Sequence, residues 1–235
     1  MNDLEELKRY HLEWWGNKRD PRNVVFKKLH TFLEKRIPQG NGKKALDLGS
    51  GYGAIVEILH KKGYEVTAVE INEHYCDLIK KQFPDVNVIN EDIRNLSFDE
   101  SFDVVTATLL FQYFKKNELF TLLKKISRWG KILYADISNK NSLHGFWVEF
   151  RRFKSKFVTL YTPDEFEIML RSAGFDVVYR RGIGLITPIT LFSGFRGRII
   201  PIFFAKICND ILDRFALKHC HLYYVEAVSR KFNKQ

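Results

Sequence analysis

An aspartate and three alternating glycines stand together in the segment 44–54, which reads KALDLGSGYGA. The apolar residues before the glycines are typical of a short buried parallel strand. Glycine lets the backbone turn tightly and lets a ligand approach the main chain, and a helix that starts after such a loop directs N–H groups at the ligand. We therefore predict a binding loop for a nucleotide-sized molecule, formed by Asp47, Gly49, Ser50, Gly51 and Gly53.

A second acidic residue, Glu70, ends the apolar segment VTAVE and is followed by Ile71. A carboxylate about 20 positions after the loop can bind the ribose hydroxyls of a nucleotide cofactor. Gly49, Gly51 and Ala54 also fit the G-x-G-x-x-G/A fingerprint of dinucleotide-binding proteins. The loop and Glu70 alone leave two interpretations open, a nicotinamide-dependent dehydrogenase and an enzyme that uses another adenosine cofactor.

Three further features resemble the class I S-adenosylmethionine (SAM) dependent methyltransferases. Asp47 lies two residues before the first glycine, and Gly53 completes a GxGxG loop. A third predicted strand ends in EDI at 91–93, which is similar to the acidic and apolar pair of that family. A fourth, FDVVTATL at 102–109, runs into LFQYF and is similar to the family segment that closes the cofactor cavity. Because a dinucleotide-binding fold does not require the pair at 91–93, the resemblance favours SAM over NAD.

The resemblance implies a role for each of these segments. The Asp92 carboxylate is expected to accept a hydrogen bond from the adenine amino group, and Ile93 is expected to pack against the adenine ring. Glu70 is expected to bind the ribose. The implied cofactor is SAM, with S-adenosylhomocysteine (SAH) as its product. The predicted cofactor-binding residues are Asp47, Gly49, Ser50, Gly51, Gly53, Glu70, Ile71, Asp92, Ile93, Thr108 and Leu109.

The order of the predicted elements indicates an α/β fold with a seven-stranded Rossmann-like sheet, mostly parallel, whose last strand is antiparallel as in the family. Strands are predicted near 45–48, 65–70, 86–90, 102–107, 131–137, 175–181 and 221–230. Helices are predicted near 3–15, 21–37, 53–62, 72–83, 117–128, 163–173 and 198–217. We expect one methyltransferase domain over 1–235, with an N-terminal helical cap at 1–40, a SAM-binding core at 43–181, a lid insertion at 182–218 and the last strand at 219–235.

The composition indicates a folded domain with an anionic partner. The chain has 235 residues, of which 45% are hydrophobic, and a net charge of +10. Residues 140–235 hold 16 Lys and Arg but 8 Asp and Glu, so most of the positive surplus lies in the C-terminal part. Such a bias suits a phosphate, a carboxylate, a nucleic acid or a lipid surface.

The sequence predicts a cytoplasmic protein. It has no N-terminal apolar run, and the longest uncharged stretch of its apolar C-terminal part, 14 residues at 182–195, is too short for a membrane span. Three cysteines without C-x-x-C spacing are typical of a reducing compartment. The apolar and basic residues at 192–206 suit a peripheral membrane contact, a lid over an apolar cleft or an oligomer interface, and the oligomeric state stays open.

Methyl transfer from a sulfonium is an in-line displacement, so the protein mainly positions the acceptor and removes its proton where needed. His144, after the fifth predicted strand, is the candidate general base. The candidate acceptor-binding residues are Tyr10, His11, Tyr113 and Arg151. The fourth strand ends in TAT, without the aspartate that catechol-type enzymes use with magnesium, so we expect no catalytic metal.

The acceptor is narrowed by absent motifs and by a second resemblance. The chain has no [DNS]-P-P-[YFW] motif for amino methylation and no Pro-Cys pair for methylation at C5 of cytosine. GIGLITPITLFSG at 182–194 is similar to a segment of the 3-demethylubiquinone-type O-methyltransferases, and WWGNKRDPRNVVFKKLH at 14–30 is loosely similar to their entry segment. These resemblances imply O-methylation of a small, partly apolar acceptor. The alternatives are a nucleic-acid methyltransferase and a SAM-binding protein without catalysis.

Overall fold

The computed structural model describes residue 6 and residues 23–143, 145–146, 158–184 and 217–233, in which helices and strands alternate. The helices are α1 (Asn23–Arg36), α2 (Ala54–Lys61), α3 (Glu73–Gln82), α4 (Lys116–Trp129) and α5 (Pro163–Ser172). The strands are β1 (Lys44–Leu48), β2 (Glu65–Glu70), β3 (Asn87–Asn90), β4 (Phe102–Ala107), β5 (Gly130–Ser138), β6 (Phe175–Ile183) and β7 (Leu222–Ser229). Short 3-10 helices cover Phe111–Tyr113 and Leu217–His219.

The seven strands form one sheet in the order β3-β2-β1-β4-β5-β7-β6. Strands β1 to β5 pair in parallel with one another, whereas β7 runs antiparallel to both β5 and β6. This confirms the predicted Rossmann-like fold with its antiparallel last strand, and every strand lies within two residues of its predicted bounds. Because the strand order reverses between β1 and β4, the carboxyl ends of these two strands border a crevice.

Apolar helix faces cover both sides of the sheet, as its buried parallel strands require. On one side α4 and α5 pack over the sheet, and α4 buries Leu119 and Leu123 from one helix face. On the other side lie α1, α2 and α3, where α1 buries Val25, Leu29 and Leu33 at a spacing of four residues. In the described part of the chain both faces of the sheet are therefore covered, and the strand ends lie open to a ligand.

Helix α1 is fixed to the last two strands near both of its ends. Val25 packs against Gly184, just after β6, where an added Cβ would lie 2.9 Å from Val25 Cγ2. Arg36 donates two hydrogen bonds of 2.7 Å to the Glu226 carboxylate on β7, and its guanidinium lies 4.3 Å from the centre of the Tyr179 ring. Glu226 is only 6% exposed, so this ion pair compensates a buried charge. The helix thus runs from the carboxyl end of β6 back along the sheet.

The turn after β4 is held by a buried carboxylate. The Asp136 side chain on β5 has no exposed surface and accepts a hydrogen bond of 3.2 Å from the backbone N–H of Leu109. Leu109 has a φ of 54°, in the left-handed region that disfavours side chains by about 1–2 kcal/mol. Burial raises the pKa of Asp136 to about 7, although the Leu109 N–H acts to lower it. The hydrogen bond therefore stabilises a strained turn at the edge of the crevice.

Five of the predicted helices are confirmed within two residues of their predicted bounds. The other two, at 3–15 and 198–217, lie outside the described ranges except for Glu6 and Leu217, and so does most of the predicted lid at 182–218. Among the helices that are described, none is long and apolar enough to cross a membrane. The domain bounds stay a prediction.

Replacing Arg36 with alanine should destabilise the chain by about 1–3 kcal/mol, because the buried Glu226 carboxylate loses its cationic partner and keeps the hydrogen bond from the Tyr224 hydroxyl. Urea unfolding followed by circular dichroism measures this loss. Lys61→Ala is the control, since Lys61 pairs with Glu57 on an exposed helix face and should contribute little. Equal losses in the two variants would contradict the conclusion that the Arg36 pair fixes α1.

Asp136→Asn should stabilise the chain at pH 8 but not at pH 4. The folded chain holds the Asp136 proton up to about pH 7, whereas the unfolded chain releases it near pH 4. Folding therefore loses stability as the pH rises between these values. The amide avoids that loss and keeps an acceptor for the Leu109 N–H, so we expect a gain of roughly 2–4 kcal/mol at pH 8.

Urea unfolding at several pH values between 4 and 8 measures the effect of Asp136→Asn. The control is Asp176→Asn, because Asp176 is an exposed aspartate on β6. Its stability should follow the wild-type pH curve. If Asp136→Asn also followed that curve, the carboxyl group would not titrate as its burial requires.

Candidate cofactor site

A cavity opens at the carboxyl ends of β1, β2 and β4, where the strand order reverses. Its walls come from the residues that follow each of the first four strands and from α1. Ten of the eleven predicted cofactor residues line it, together with one predicted acceptor residue. They are Asp47, Gly49, Ser50, Gly51, Glu70, Ile71, Asp92, Ile93, Thr108, Leu109 and Tyr113.

All three glycines of the loop have positive φ angles, and an added Cβ would meet different surroundings at each of them. At Gly49 (φ 71°) an added Cβ would lie 2.7 Å from Leu110 Cδ1, so glycine lets the loops after β1 and β4 meet. Gly51 (φ 52°) lines the cavity, and an added Cβ there would meet nothing within 4 Å. Gly53 (φ 88°) does not line the cavity, and its Cβ would lie 3.1 Å from Ile79 of α3. The structure gives Gly53 a role in packing α2 against α3, and its assignment to the cofactor stays a prediction.

The Glu70 carboxylate connects the two loops on either side of the cavity. Its Oε2 atom accepts a hydrogen bond of 2.8 Å from the Gly51 N–H, and its Oε1 atom accepts one of 2.9 Å from the Asn72 N–H. Burial raises the pKa of Glu70, and these backbone donors act to lower it. The carboxylate thus fixes the glycine loop and the start of α3, and it lines the cavity with oxygens that have further lone pairs.

Two buried polar atoms at the cavity have no hydrogen-bond partner within the described part of the chain. They are Oδ2 of Asp47 and Nδ2 of Asn72. The other carboxylate oxygen of Asp47 accepts a hydrogen bond of 2.6 Å from the Thr106 hydroxyl, and burial raises the pKa of Asp47 to about 6. Because buried polar atoms normally find partners, this unmatched acceptor and donor fit a polar ligand in the cavity.

An arginine holds the predicted adenine-binding carboxylate. Arg94 lies two residues after Asp92 and donates hydrogen bonds of 3.0 Å and 2.6 Å to its Oδ2 atom from Nε and an Nη atom. Partial burial acts to raise the pKa of Asp92, but the Arg94 guanidinium holds it below its usual range. Ile93, between them, is buried at the cavity wall. Asp92 is therefore ionised and oriented, as an acceptor for an amino group must be.

The segment after β4 forms the remaining wall, where Leu109 and Tyr113 line the cavity. Gln112 ties this segment to β5, because its Nε2 atom donates to the Leu109 carbonyl at 3.1 Å and its Oε1 atom accepts from the Ser138 hydroxyl. The Asp136 carboxylate holds the Leu109 N–H from the same strand. Both the N–H and the carbonyl group of Leu109 are therefore hydrogen-bonded to side chains, and these bonds hold this wall of the cavity in place.

Sequence reasoning missed several residues that line the cavity: His30, Tyr52, Asn72, Tyr75 and Arg94. Two of these residues could have been recognised in the sequence, because Asn72 stands in a helix-cap position two residues after Glu70 and Arg94 stands two residues after Asp92. His30 could not, because only the packing of α1 against the sheet brings it to the cavity. The predicted residues Tyr10, His11, His144 and Arg151 lie outside the described residues.

In the parts of the chain that the structure describes, no three His, Cys, Asp or Glu side chains form a group that could hold a metal ion. Asp136 is buried beneath Leu109, and it does not line the cavity. The expectation of metal-free catalysis stays a prediction.

Comparisons with known sequences find methyltransferases. The family described as "Methyltransferase domain" matches residues 45–131. The chain is 31% identical over 151 residues to a ubiquinone biosynthesis O-methyltransferase of Coxiella burnetii, a match that covers 59% of the chain and 64% of that protein. It is 30% identical over 102 residues to a malonyl-[acyl-carrier protein] O-methyltransferase of Priestia megaterium, over 40% of the chain and 36% of that protein. These matches span less than two thirds of the curated relatives' length.

Comparisons with solved structures find the same fold over nearly the whole chain. The magnesium protoporphyrin IX methyltransferase of Synechocystis PCC 6803 with bound SAM aligns with a TM-score of 0.64 and 13% identity, over 97% of this chain and 98% of that one. A methyltransferase of Haloferax volcanii, solved with the Trm112 methyltransferase activator, aligns with a TM-score of 0.67 and 18% identity, over 93% and 97%. The sequence match covers residues 45–131, and the solved structures share the fold, so the resemblance to the class I SAM-dependent methyltransferases is confirmed.

Proposed function

We propose that the chain binds SAM in the cavity and transfers its methyl group to the oxygen of a small, partly apolar acceptor. The observation that carries this proposal is the Asp92 carboxylate, which lines the cavity and is oriented by Arg94, because a dinucleotide-binding fold does not require an acidic residue there. The Glu70 carboxylate joins the Gly51 loop to the start of α3 and also lines the cavity. A carboxylate at the end of the second strand suits the two hydroxyls of a ribose. SAM would supply a methyl group that its sulfonium already activates.

The described residues suit the other parts of this cofactor. The Asp92 carboxylate, oriented by Arg94, can accept a hydrogen bond from an adenine amino group, and Ile93 can pack against the ring. The unmatched oxygen of Asp47 and the unmatched amide nitrogen of Asn72 can receive and donate hydrogen bonds to the ribose or to the amino-acid end. Since SAM is positively charged at its sulfur and at its amino group, carboxylates around the cavity also attract it.

The wall after β4 suits an apolar acceptor. Leu109, Leu110 and Phe114 line this part of the cavity, with Tyr113 among them. Oxygen as the methylated atom is supported by two relatives whose names contain O-methyltransferase, one in ubiquinone biosynthesis and one acting on malonyl-[acyl-carrier protein]. The acceptor-binding roles of Tyr10, His11, Tyr113 and Arg151 and the base role of His144 stay predictions.

The wider biological setting stays a prediction as well. A cytoplasmic location rests on the sequence alone. The described residues hold no observation that favours a nucleic-acid acceptor, and the hypothesis of such an acceptor rests on the positive surplus at residues 140–235. A small-molecule acceptor therefore remains the proposal.

Calorimetric titration with SAH tests the proposal, after any cofactor retained from expression has been removed. Micromolar binding is expected, and an acceptor screen with phenols, quinone precursors and sugar nucleotides would follow. A parallel titration with NADH is the control for the dehydrogenase interpretation. Binding of NADH without binding of SAH would overturn the proposal.

Gly51→Val should abolish SAH binding and leave the fold intact, because the new side chain would fill the space that the ligand needs. Gly42→Val is a matched control. Gly42 also has a positive φ, 79°, and an equally open surrounding, but it lies before β1 and outside the cavity. Both variants should lose on the order of 1–2 kcal/mol of stability. Calorimetry should show lost binding only for Gly51→Val, and comparable SAH affinity in both variants would refute the assignment of the loop.

Asp92→Ala should weaken SAH binding about 10- to 100-fold, which corresponds to the loss of one charge-assisted hydrogen bond of about 1–3 kcal/mol. The control is Asp85→Ala, since Asp85 is an exposed aspartate that pairs with His60 outside the cavity. Calorimetric titration of both variants measures the difference. An unchanged Kd for Asp92→Ala would remove Asp92 from the cofactor site.

A further inference from the structure

His30 belongs to the wall of the cofactor cavity, although α1 precedes β1 and lies outside the family match at 45–131. His30 is the one histidine among the described residues that line this cavity. The other described histidines, such as His60, lie elsewhere. His30 therefore adds to the cavity a group that can exchange a proton near neutral pH.

The anchors of α1 indicate from which side His30 reaches the cavity. The helix is fixed at Val25 to the residue after β6 and at Arg36 to β7, both on the β4 side of β1 in the strand order. Asp92 and Ile93 follow β3, which is the opposite edge strand. Both anchors of α1 thus lie in the half of the sheet that carries the wall after β4, and we infer that His30 reaches the cavity from this side.

Each described carboxylate of the cavity, including Glu91, accepts at least one hydrogen bond, and the unmatched oxygen of Asp47 is assigned to the cofactor. Asp47 accepts a hydrogen bond from Thr106, Glu70 accepts two from backbone N–H groups, and Asp92 is paired with Arg94. Burial lowers the pKa of His30, so its ring is neutral at pH 7. A neutral imidazole can accept a proton, whereas an ionised carboxylate that is paired with an arginine is a weak base.

We propose that His30 takes the proton of the acceptor's hydroxyl group during methyl transfer. The inference rests on the proposed function and extends it to a residue. A lone pair of the acceptor oxygen forms the new bond to the methyl carbon, and the electrons of the broken sulfur–carbon bond stay on sulfur, which becomes a neutral thioether. The hydroxyl proton passes to the His30 ring and from there to solvent, so charge and atoms balance.

The test does not need the acceptor. The pKa of the His30 ring is measured by NMR on histidine-labelled protein, in complexes with SAH and with SAM, and the signal is identified by its loss in His30→Gln. If the ring lies beside the reacting methyl group, the positive sulfonium of SAM should lower its pKa by about one unit relative to neutral SAH. The ring signals of His60, which lies outside the cavity, should be the same in the two complexes.

The outcomes separate the inference from the proposed function. If calorimetry detects no binding of SAH, the proposed function fails. If SAH binds but the His30 pKa is the same with SAM and SAH, the ring is not beside the methyl group and the inference alone is overturned. His30→Gln should also keep the SAH affinity within about twofold, because a base for the acceptor does not hold the cofactor. A tenfold loss would make His30 a cofactor-binding residue instead.

A kinetic measurement completes the test, with the phenol that turns over fastest in the acceptor screen. His30→Gln should lower kcat about 100-fold or more while the KM for SAM stays the same, as expected when a general base is lost. His144→Gln is assayed beside it. A loss confined to His144→Gln would overturn the assignment of His30.

Discussion

The carboxylate of Glu70 links the two loops on which the cavity depends. Its oxygens bind the Gly51 N–H after β1 and the Asn72 N–H at the start of α3. It reaches both because β1 and β2 pair in parallel, with Leu48 opposite Val69, so that their carboxyl ends meet. The chain must therefore leave β1, form α2 and return before the contact exists. The glycine loop, in turn, can take its positive φ angles because this carboxylate and the Val69 carbonyl hold its N–H groups.

The site concentrates negative charge that the protein alone compensates only in part. Burial raises the pKa of Asp47 to about 6 and raises that of Glu70, and one Asp47 oxygen has no partner among the described residues. Arg94 is engaged with Asp92 at the other end of the cavity. A cationic ligand would stabilise the ionised form of Asp47, and its binding would lower the pKa of that carboxyl group. Binding of a cation would therefore offset the free energy that burial of these carboxylates costs. This electrostatic gain favours a positively charged cofactor over an anionic dinucleotide.

Features that depend on neighbouring residues could be predicted from the sequence, whereas contacts between distant segments could not. The strands, the glycine loop and the helix α5 follow from local patterns, and the structure confirms their positions. Gly53 fits the loop pattern, but an added Cβ at this position would contact Ile79 of α3. The motif does not predict that contact. The anchoring of Leu109 by Asp136 depends on the pairing of β4 with β5 and on a bond over 27 positions. No sequence period predicts such a bond, because it depends on which strand ends meet after folding.

The two halves of the cavity rest on different parts of the fold. All predicted cofactor residues lie within the family match at 45–131 and are positioned by β1 to β4. His30 lies outside that match, and α1 is held by Gly184 after β6 and by Glu226 on β7, the last strand of the chain. Residues at this wall could change without disturbing Glu70 or the glycine loop. Since no residue of α1, β6 or β7 contributes to the Glu70 bridge, the fold can keep one cofactor site while its acceptor side varies, which agrees with a family match that is confined to the cofactor half.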